Sequence, residues 1–267
     1  MKKFNFWQWM VYKDDLFLNV VNCINAARRL WGFRYRKWGR IGEKILAEDK
    51  GKSSEVIIVL NGPSIKEQPL ERLKGKTVIF ANQGFRLQQY REIKPKYHVF
   101  IDTKMVKGVW DIKWLDEIHE MVPDITFVMP ASWAVLPILK PYIDKGYRIA
   151  WMNSRGGGMR GFGVAQACFG LAMAIGCKRI YVTGFEDTGF ASSLVSDSSH
   201  FYGRDSDELN KPPELLMQGY YMNARHVREL IRFSHIVRKR GVEVINLTRG
   251  GVVTEFPRMR FEDVFSE

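Results

Sequence analysis

Five histidines occur in the chain, and one of them, His200, lies in a polar stretch, "SSHFYG", rich in serine and glycine. An imidazole there can take a proton from a hydroxyl near neutral pH, because its ordinary pKa of about 6.5 is close to the working range. His98 falls in an apolar run, His119 on a charged helix, and His226 and His235 on a long helical stretch beside Arg228 and Arg232; these four read as structural. A second group suits anions. "VIIVLNGPSIKE", residues 56–67, runs an apolar strand into Asn61-Gly62-Pro63-Ser64 and then into a helical stretch. Glycine permits close backbone approach, proline fits a first helical turn, serine caps it, and the N–H groups of a helix start attract phosphate.

"RGGGMRG", residues 155–161, sets Arg155 and Arg160 around glycines that follow a strand and open a helix. It fits G-x-G-x-x-G, but it follows the fifth strand, and Glu186 and Asp187 come late for a ribose contact. It therefore reads as a phosphate-holding loop rather than a dinucleotide fingerprint. "GKS" at 51–53 and "GKT" at 75–77 lack the leading glycine of a P-loop, Leu46 and Leu70 standing there instead. "DSD" at 205–207 follows no strand and reads as a solvated loop, so no metal ligand is assigned.

The elements that must position these groups follow from periodicity. Short apolar runs at 56–60, 77–82, 97–102, 125–130, 147–153, 179–185 and 242–247 predict strands; helical stretches at about 64–73, 111–121, 132–145, 162–175 and 214–240 separate them. That alternation predicts an α/β fold with a mostly parallel sheet and helices on both faces, and ligands in such sheets bind beyond the carboxyl ends of the strands.

At 267 residues the chain has room for one large domain with an appendage, and its net charge of +12 favours anionic partners. Three widely spaced cysteines show no metal-ligand spacing and imply a reducing compartment. The charge is uneven: residues 1–46 hold ten Lys or Arg against three acids, with Trp7, Trp9, Trp31 and Trp38. Leu16, Phe17, Val20, Val21, Ile24 and Leu30 fall on one helical stripe, followed by the basic aromatic "GFRYRKWGR". No apolar run reaches the roughly 18 to 20 residues of a spanning helix. The segment suits a helix lying on an anionic membrane, or one packed on the domain or on another subunit. Residues 1–50 are accordingly read as a basic amphipathic segment and 51–267 as the α/β domain.

The order "IIVLNGPSIKE", "FANQGF", glycine-rich loop, "AIGCKRIYVTGFED" and "SSHFYG" resembles the bacterial sialyltransferases of glycosyltransferase family 42 over residues 56 to about 250. It also resembles the related domain of motility accessory factors and archaeal pterin pyrophosphokinases. The resemblance makes 51–267 a catalytic domain and implies a Rossmann-like sheet with a flexible lid at about 186–215, a CMP-sugar donor, no metal or other cofactor, and His200 as the base. It places Asn61, Gly62, Ser64, Asn82 and Gln83 at the donor, with Gly184 ahead of the lid. Asp102 stands where the family has Asn. The family's two lid tyrosines, which steady the departing phosphate, have no counterpart in "FEDTGFASSLVSDSS", and "NLTRGGVVTEFP" resembles its segment near the nucleotide.

The expected activity is inverting transfer of an acidic sugar, sialic acid or a relative such as Kdo, from CMP to a glycan or glycolipid acceptor in polysaccharide or lipopolysaccharide synthesis. The expected place is the inner face of the cytoplasmic membrane, held peripherally through residues 1–46, with a homo-oligomer left open. The alternatives are a metal-dependent nucleotide-handling enzyme of the pyrophosphokinase type, and a non-enzymatic basic binder of membrane or nucleic acid. The turn at 61–64 and His200 lie outside the basic segment, which disfavours a binder and leaves no nucleic-acid partner.

Overall fold

The computed structural model describes residues 33–152, 163–188, 200–203 and 213–266, with Leu16, Val20 and Cys23 from the N-terminal segment. Seven strands form one sheet: β1 (Glu55–Val59), β2 (Val78–Ala81), β3 (Tyr97–Val99), β4 (Thr126–Pro130), β5 (Ile149–Met152), β6 (Arg179–Thr183) and β7 (Glu243–Asn246). Their order is β5-β4-β3-β2-β1-β6-β7, and every neighbouring pair is parallel. Val56, Ile58 and Leu60 enter the core on one face while Ile57 and Val59 enter it on the other, all nearly without solvent contact. A strand buried on both faces needs apolar side chains at every position, which is why these runs show no polar alternation.

Seven helices are described: α1 (Phe33–Ala47), α2 (Tyr90–Ile93), α3 (Trp114–Met121), α4 (Lys140–Asp144), α5 (Val164–Ala174), α6 (Pro213–Lys239) and α7 (Phe261–Val264). α5 and α6 pack on one face through Phe169, Leu171, Leu230, Phe233 and Val237; α2, α3 and α7 pack on the other through Tyr90, Leu115, Ile118 and Phe261. The chain builds outward from β1 to β5, then crosses back to lay β6 against the free side of β1. Connections therefore leave β1 and β6 in opposite directions, opening a crevice above their carboxyl ends.

Three expectations need correction, the first being that 132–145 is not one helix but two 3-10 turns, Ala131–Val135 and Pro137–Leu139, followed by the short α4. The stretch 64–73 is not an α-helix: it forms two 3-10 turns, Pro63–Glu67 and Leu70–Leu73, broken at Gln68-Pro69. The segment before residue 51 is not all appendage either, because α1 covers the edge strand β5. The Trp38 and Trp151 rings meet edge to face at 5.7 Å, and a Cβ at Gly42 would lie 2.2 Å from the Trp151 carbonyl oxygen. Asp49, just past the helix, takes bonds from Lys96 Nζ at 2.5 Å and the Tyr97 hydroxyl at 2.6 Å, tying that end to β3. The folded unit thus reaches back to α1. Among the described residues no helix is long and apolar enough to cross a membrane.

Candidate active site

A cavity of about 290 Å³ opens at the switch point. Its walls come from Leu60–Pro63 after β1, Asn82 after β2, Asp102, Lys104 and Trp110 after β3, and Gly163–Gln166 at the start of α5. Gly184–Thr188 after β6, His200 with Tyr202, and His226 on α6 complete it. The structure thus brings Asn61, Gly62, Asn82, Asp102, Gly184 and His200 together across as many as 139 positions of sequence. Arg155, Arg160, most of the expected lid, and the "DSD" run lie outside the described residues. Gln83 is buried and Ser64 sits behind the turn; neither is among the lining side chains, so of the Asn82-Gln83 pair only Asn82 reaches the cavity. The two rejected P-loop triplets lie before β1 and β2, at the opposite ends of the strands.

The turn after β1 does not do what its sequence suggests. Gly62 donates its N–H to the Gly184 carbonyl at 3.0 Å, Ser64 donates its N–H to Glu186 Oε1 at 2.8 Å, and proline has no N–H. A carboxylate from this same chain occupies the place where phosphate was expected. Gly62 is required because a Cβ there would lie 2.7 Å from the Gly184 carbonyl oxygen and 1.5 Å from Glu186 Oε2. Gly184 is required for two reasons: its φ of +66° lies in the left-handed region, and a Cβ would meet the Leu60 carbonyl oxygen at 2.4 Å. The free N–H groups belong instead to α5. Its first internal bond runs from Ala167 to the Gly163 carbonyl, so the amides of Val164, Ala165 and Gln166 face the cavity end without helical acceptors.

Asn82 has φ +50°, a conformation asparagine tolerates better than most residues. His98 holds it there by donating from Nε2 to the Asn82 carbonyl at 2.8 Å, while Tyr90 donates its hydroxyl to His98 Nδ1 at 2.8 Å. Complete burial pushes the His98 imidazole down to about 3, the bond to Asn82 opposing that shift. His98 is thus a core histidine, as its setting predicts, and also a brace for the site. The sign of the linkage follows. In the unfolded chain the imidazole takes a proton near 6.5, in the folded one near 3, so the stability it confers is present above 6.5 and is lost as pH falls toward 3. Between pH 7 and pH 5 urea unfolding should show a loss of about 2 kcal/mol that disappears in His98→Gln. An equal loss in that variant would assign the pH dependence to other groups.

His200 stacks on Tyr202, ring centres 4.9 Å apart and 21° between planes, and Phe201 donates its N–H to the Asn61 carbonyl at 3.0 Å, which seats this segment over β1. His226 is the residue that sequence reasoning missed. Its neighbours on α6 suggest a structural histidine, yet its Nδ1 lies 3.1 Å from Asp187 Oδ1 and it lines the cavity. The signal present in the sequence was "FED" at the end of β6, which supplies Glu186 and Asp187. Behind them the loop after β7 gives support: Phe185 donates its N–H to Thr248 Oγ1 at 2.9 Å and Val252 donates to the Glu186 carbonyl at 2.8 Å. Arg258 holds that loop through backbone carbonyls alone, reaching Thr248, Gly250, Gly251 at 3.2 Å and Val253 at 2.9 Å.

Several buried polar atoms of this region have no hydrogen-bond partner among the described residues: Asn61 Oδ1, Asn82 Oδ1, both amide atoms of Gln166, Glu186 Oε2, Asp187 Oδ2 and His226 Nε2. Buried polar atoms are nearly always paired, so their concentration in one cavity marks a binding site.

No curated protein matches the chain by sequence. Among solved structures, the sialyltransferase CST-II in complex with a trisaccharide acceptor and CMP is 18% identical, with a TM-score of 0.43 over 72% of this chain and 80% of that one. The sialyltransferase CstII from Campylobacter jejuni in complex with the substrate analogue cytidine-5'-monophosphate is 16% identical, with a TM-score of 0.46 over 77% and 84%. The family described as 6-hydroxymethylpterin diphosphokinase MptE-like matches residues 37–192, from α1 through β6 and into the loop that carries Glu186 and Asp187. With more than half of its length matched, the chain belongs to the MptE-like family.

Proposed function

We propose that the chain is an inverting glycosyltransferase moving an acidic sugar, sialic acid or a relative such as Kdo, from a CMP donor to a glycan or glycolipid acceptor. The observation that carries the reading is the gathering of His200, Asn61, Asn82 and the start of α5 in one switch-point cavity. His200 takes the proton of the acceptor hydroxyl as its oxygen bonds to the anomeric carbon; the bond from that carbon to phosphate oxygen breaks, and CMP leaves with the electron pair. The charge developing on the phosphate meets the unpaired amides of α5 and the ammonium of Lys104, with Arg155 and Arg160 assigned to the same task. The motif order "NGPS", "NQ", "SHFYG" supports the CMP donor. A donor screen tests the reading: nucleotide release should be confined to CMP-sugars and should survive EDTA.

A second reading is favoured by the family and by the three carboxylates in the lining, Asp102, Glu186 and Asp187. Carboxylate oxygens suit hard cations, so a nucleotide-handling enzyme that transfers a diphosphoryl group would bring a divalent ion to them with its nucleotide. Among the described residues no group of three or more His, Cys, Asp or Glu stands close enough to hold a metal ion, so the phosphates would supply the remaining oxygens. Activity that vanishes in EDTA selects this reading.

Peripheral membrane contact through residues 1–46 belongs to the same proposal. α1 presents Arg36, Lys37, Arg40 and Lys44 around a surface hollow. Because α1 is part of the fold, the informative truncation removes residues 1–32. The shortened chain should stay folded, keep transfer to a short soluble acceptor, and no longer sediment with anionic vesicles. Undiminished sedimentation would place the membrane contact elsewhere.

A further inference from the structure

Glu186, Asp187 and His226 form one wall of the cavity, and their chemistry differs from that of the α5 side. A carboxylate oxygen only accepts hydrogen bonds, so His226 Nδ1, 3.1 Å from Asp187 Oδ1, carries a proton, and whenever the ring is neutral its Nε2 presents a lone pair. That Nε2, Asp187 Oδ2 and Glu186 Oε2 are all buried and without a hydrogen-bond partner among the described residues. Glu186 is only 7% exposed, and its other oxygen is fixed by the Ser64 N–H. Asp187 has φ +55°, a left-handed conformation that aspartate, like asparagine, adopts more readily than most residues.

Three acceptors in the lining of one cavity, two of them carboxylate oxygens, repel a phosphate. They match a partner that brings several donors on adjacent carbon atoms. We propose that this wall is a hydroxyl-binding subsite for a polyhydroxylated sugar, one hydroxyl donating to His226 Nε2 and its neighbours to Asp187 Oδ2 and Glu186 Oε2. Asp187 is also the positioning residue that fixes the His226 tautomer. The subsite rests on the glycosyltransferase reading, and the hydroxyls come from the transferred sugar or from the acceptor glycan.

Asp187→Asn tests it, because the amide keeps the size and offers the ring a donor, which moves the imidazole proton to Nε2 and turns that acceptor into a donor. Affinity for CMP alone, measured by calorimetry, should be unchanged, while the KM of one sugar substrate rises roughly 5- to 100-fold, the range for an unsatisfied buried hydrogen bond. A rise confined to the CMP-sugar assigns the wall to the transferred sugar; a rise confined to the glycan assigns it to the acceptor. Should Asp187→Asn not fold, the same measurements are made on His226→Gln, whose amide oxygen restores an acceptor, and on His226→Ala, which should be the weaker of the two. Equal losses of CMP affinity and sugar KM would make the pair structural and overturn the proposal, as would unchanged KM values. A wild-type protein that neither binds nor turns over any CMP-sugar removes the glycosyltransferase reading and the subsite with it, whereas normal transfer with unmoved KM values removes the subsite alone.

Discussion

His200→Ala lowers turnover by roughly 10²- to 10⁴-fold, the usual range for a positioned general base, and leaves nucleotide affinity nearly unchanged. The expectation rests on separate anchoring. The groups assigned to the nucleotide, Asn61, Asn82 and the start of α5, sit on strand ends and a helix end, whereas His200 enters from the segment above β1. Truncating its ring removes the proton acceptor without touching the other groups. His119 and His235 serve as controls: His119 stacks on Tyr147 at 4.3 Å and lies, like His235, outside the cavity lining. Single-turnover rates on protein with an unaltered melting temperature make the comparison. Near-normal turnover in folded His200→Ala would pass the base role to His226, whose Nδ1 lies 3.1 Å from Asp187 Oδ1.

The second large effect is on stability. Gly62→Ala puts a methyl group where Glu186 Oε2 now sits, so the carboxylate must leave and Ser64 loses its acceptor. Overpacking costs about 1 to 3 kcal/mol and a lost charge-assisted bond about 1.5 to 3. We expect a loss of roughly 3 to 5 kcal/mol in urea unfolding, a large share of the 5 to 15 typical of a domain. The cause is checked by a double-mutant cycle: in a Glu186→Ala background the same substitution should cost less by the carboxylate's share, about 1.5 to 3 kcal/mol, and keep the cost of crowding the Gly184 carbonyl oxygen, which lies 2.7 Å from the added Cβ. Additive costs would show that Gly62 is required for some other reason.

The seven strands were legible because each is a short apolar run bounded by turn residues, and a doubly covered sheet needs that composition at every strand position. The start of α5 was legible for the same reason. The chemistry of the turn after β1 was not. Asn61-Gly62-Pro63-Ser64 shows its need for a glycine, but the group that approaches the glycine comes from Glu186, 122 positions beyond Ser64, and no local pattern carries that distance. His226 was hidden in a similar way. Its helix neighbours are charged and ordinary, and its partner Asp187 is set by where β6 ends. α1 held a weaker clue in Gly42, a glycine inside a helical stretch, which makes sense once the helix is pressed against the Trp151 backbone.

Arg258 grips the loop after β7 by main-chain oxygens only, and every peptide unit has one of those whatever its side chain. The loop's outline is therefore written almost entirely by one guanidinium and two left-handed glycines, Gly250 and Gly251. The exposed side chain of Val252 has no part in holding the shape, while Arg249 reaches out of the loop to Glu262 Oε1 at 2.7 Å. Such a loop can exchange its outward residues, and with them whatever it meets at the rim, while Glu186 and Asp187 beneath it stay in register: a replaceable face on a fixed mount.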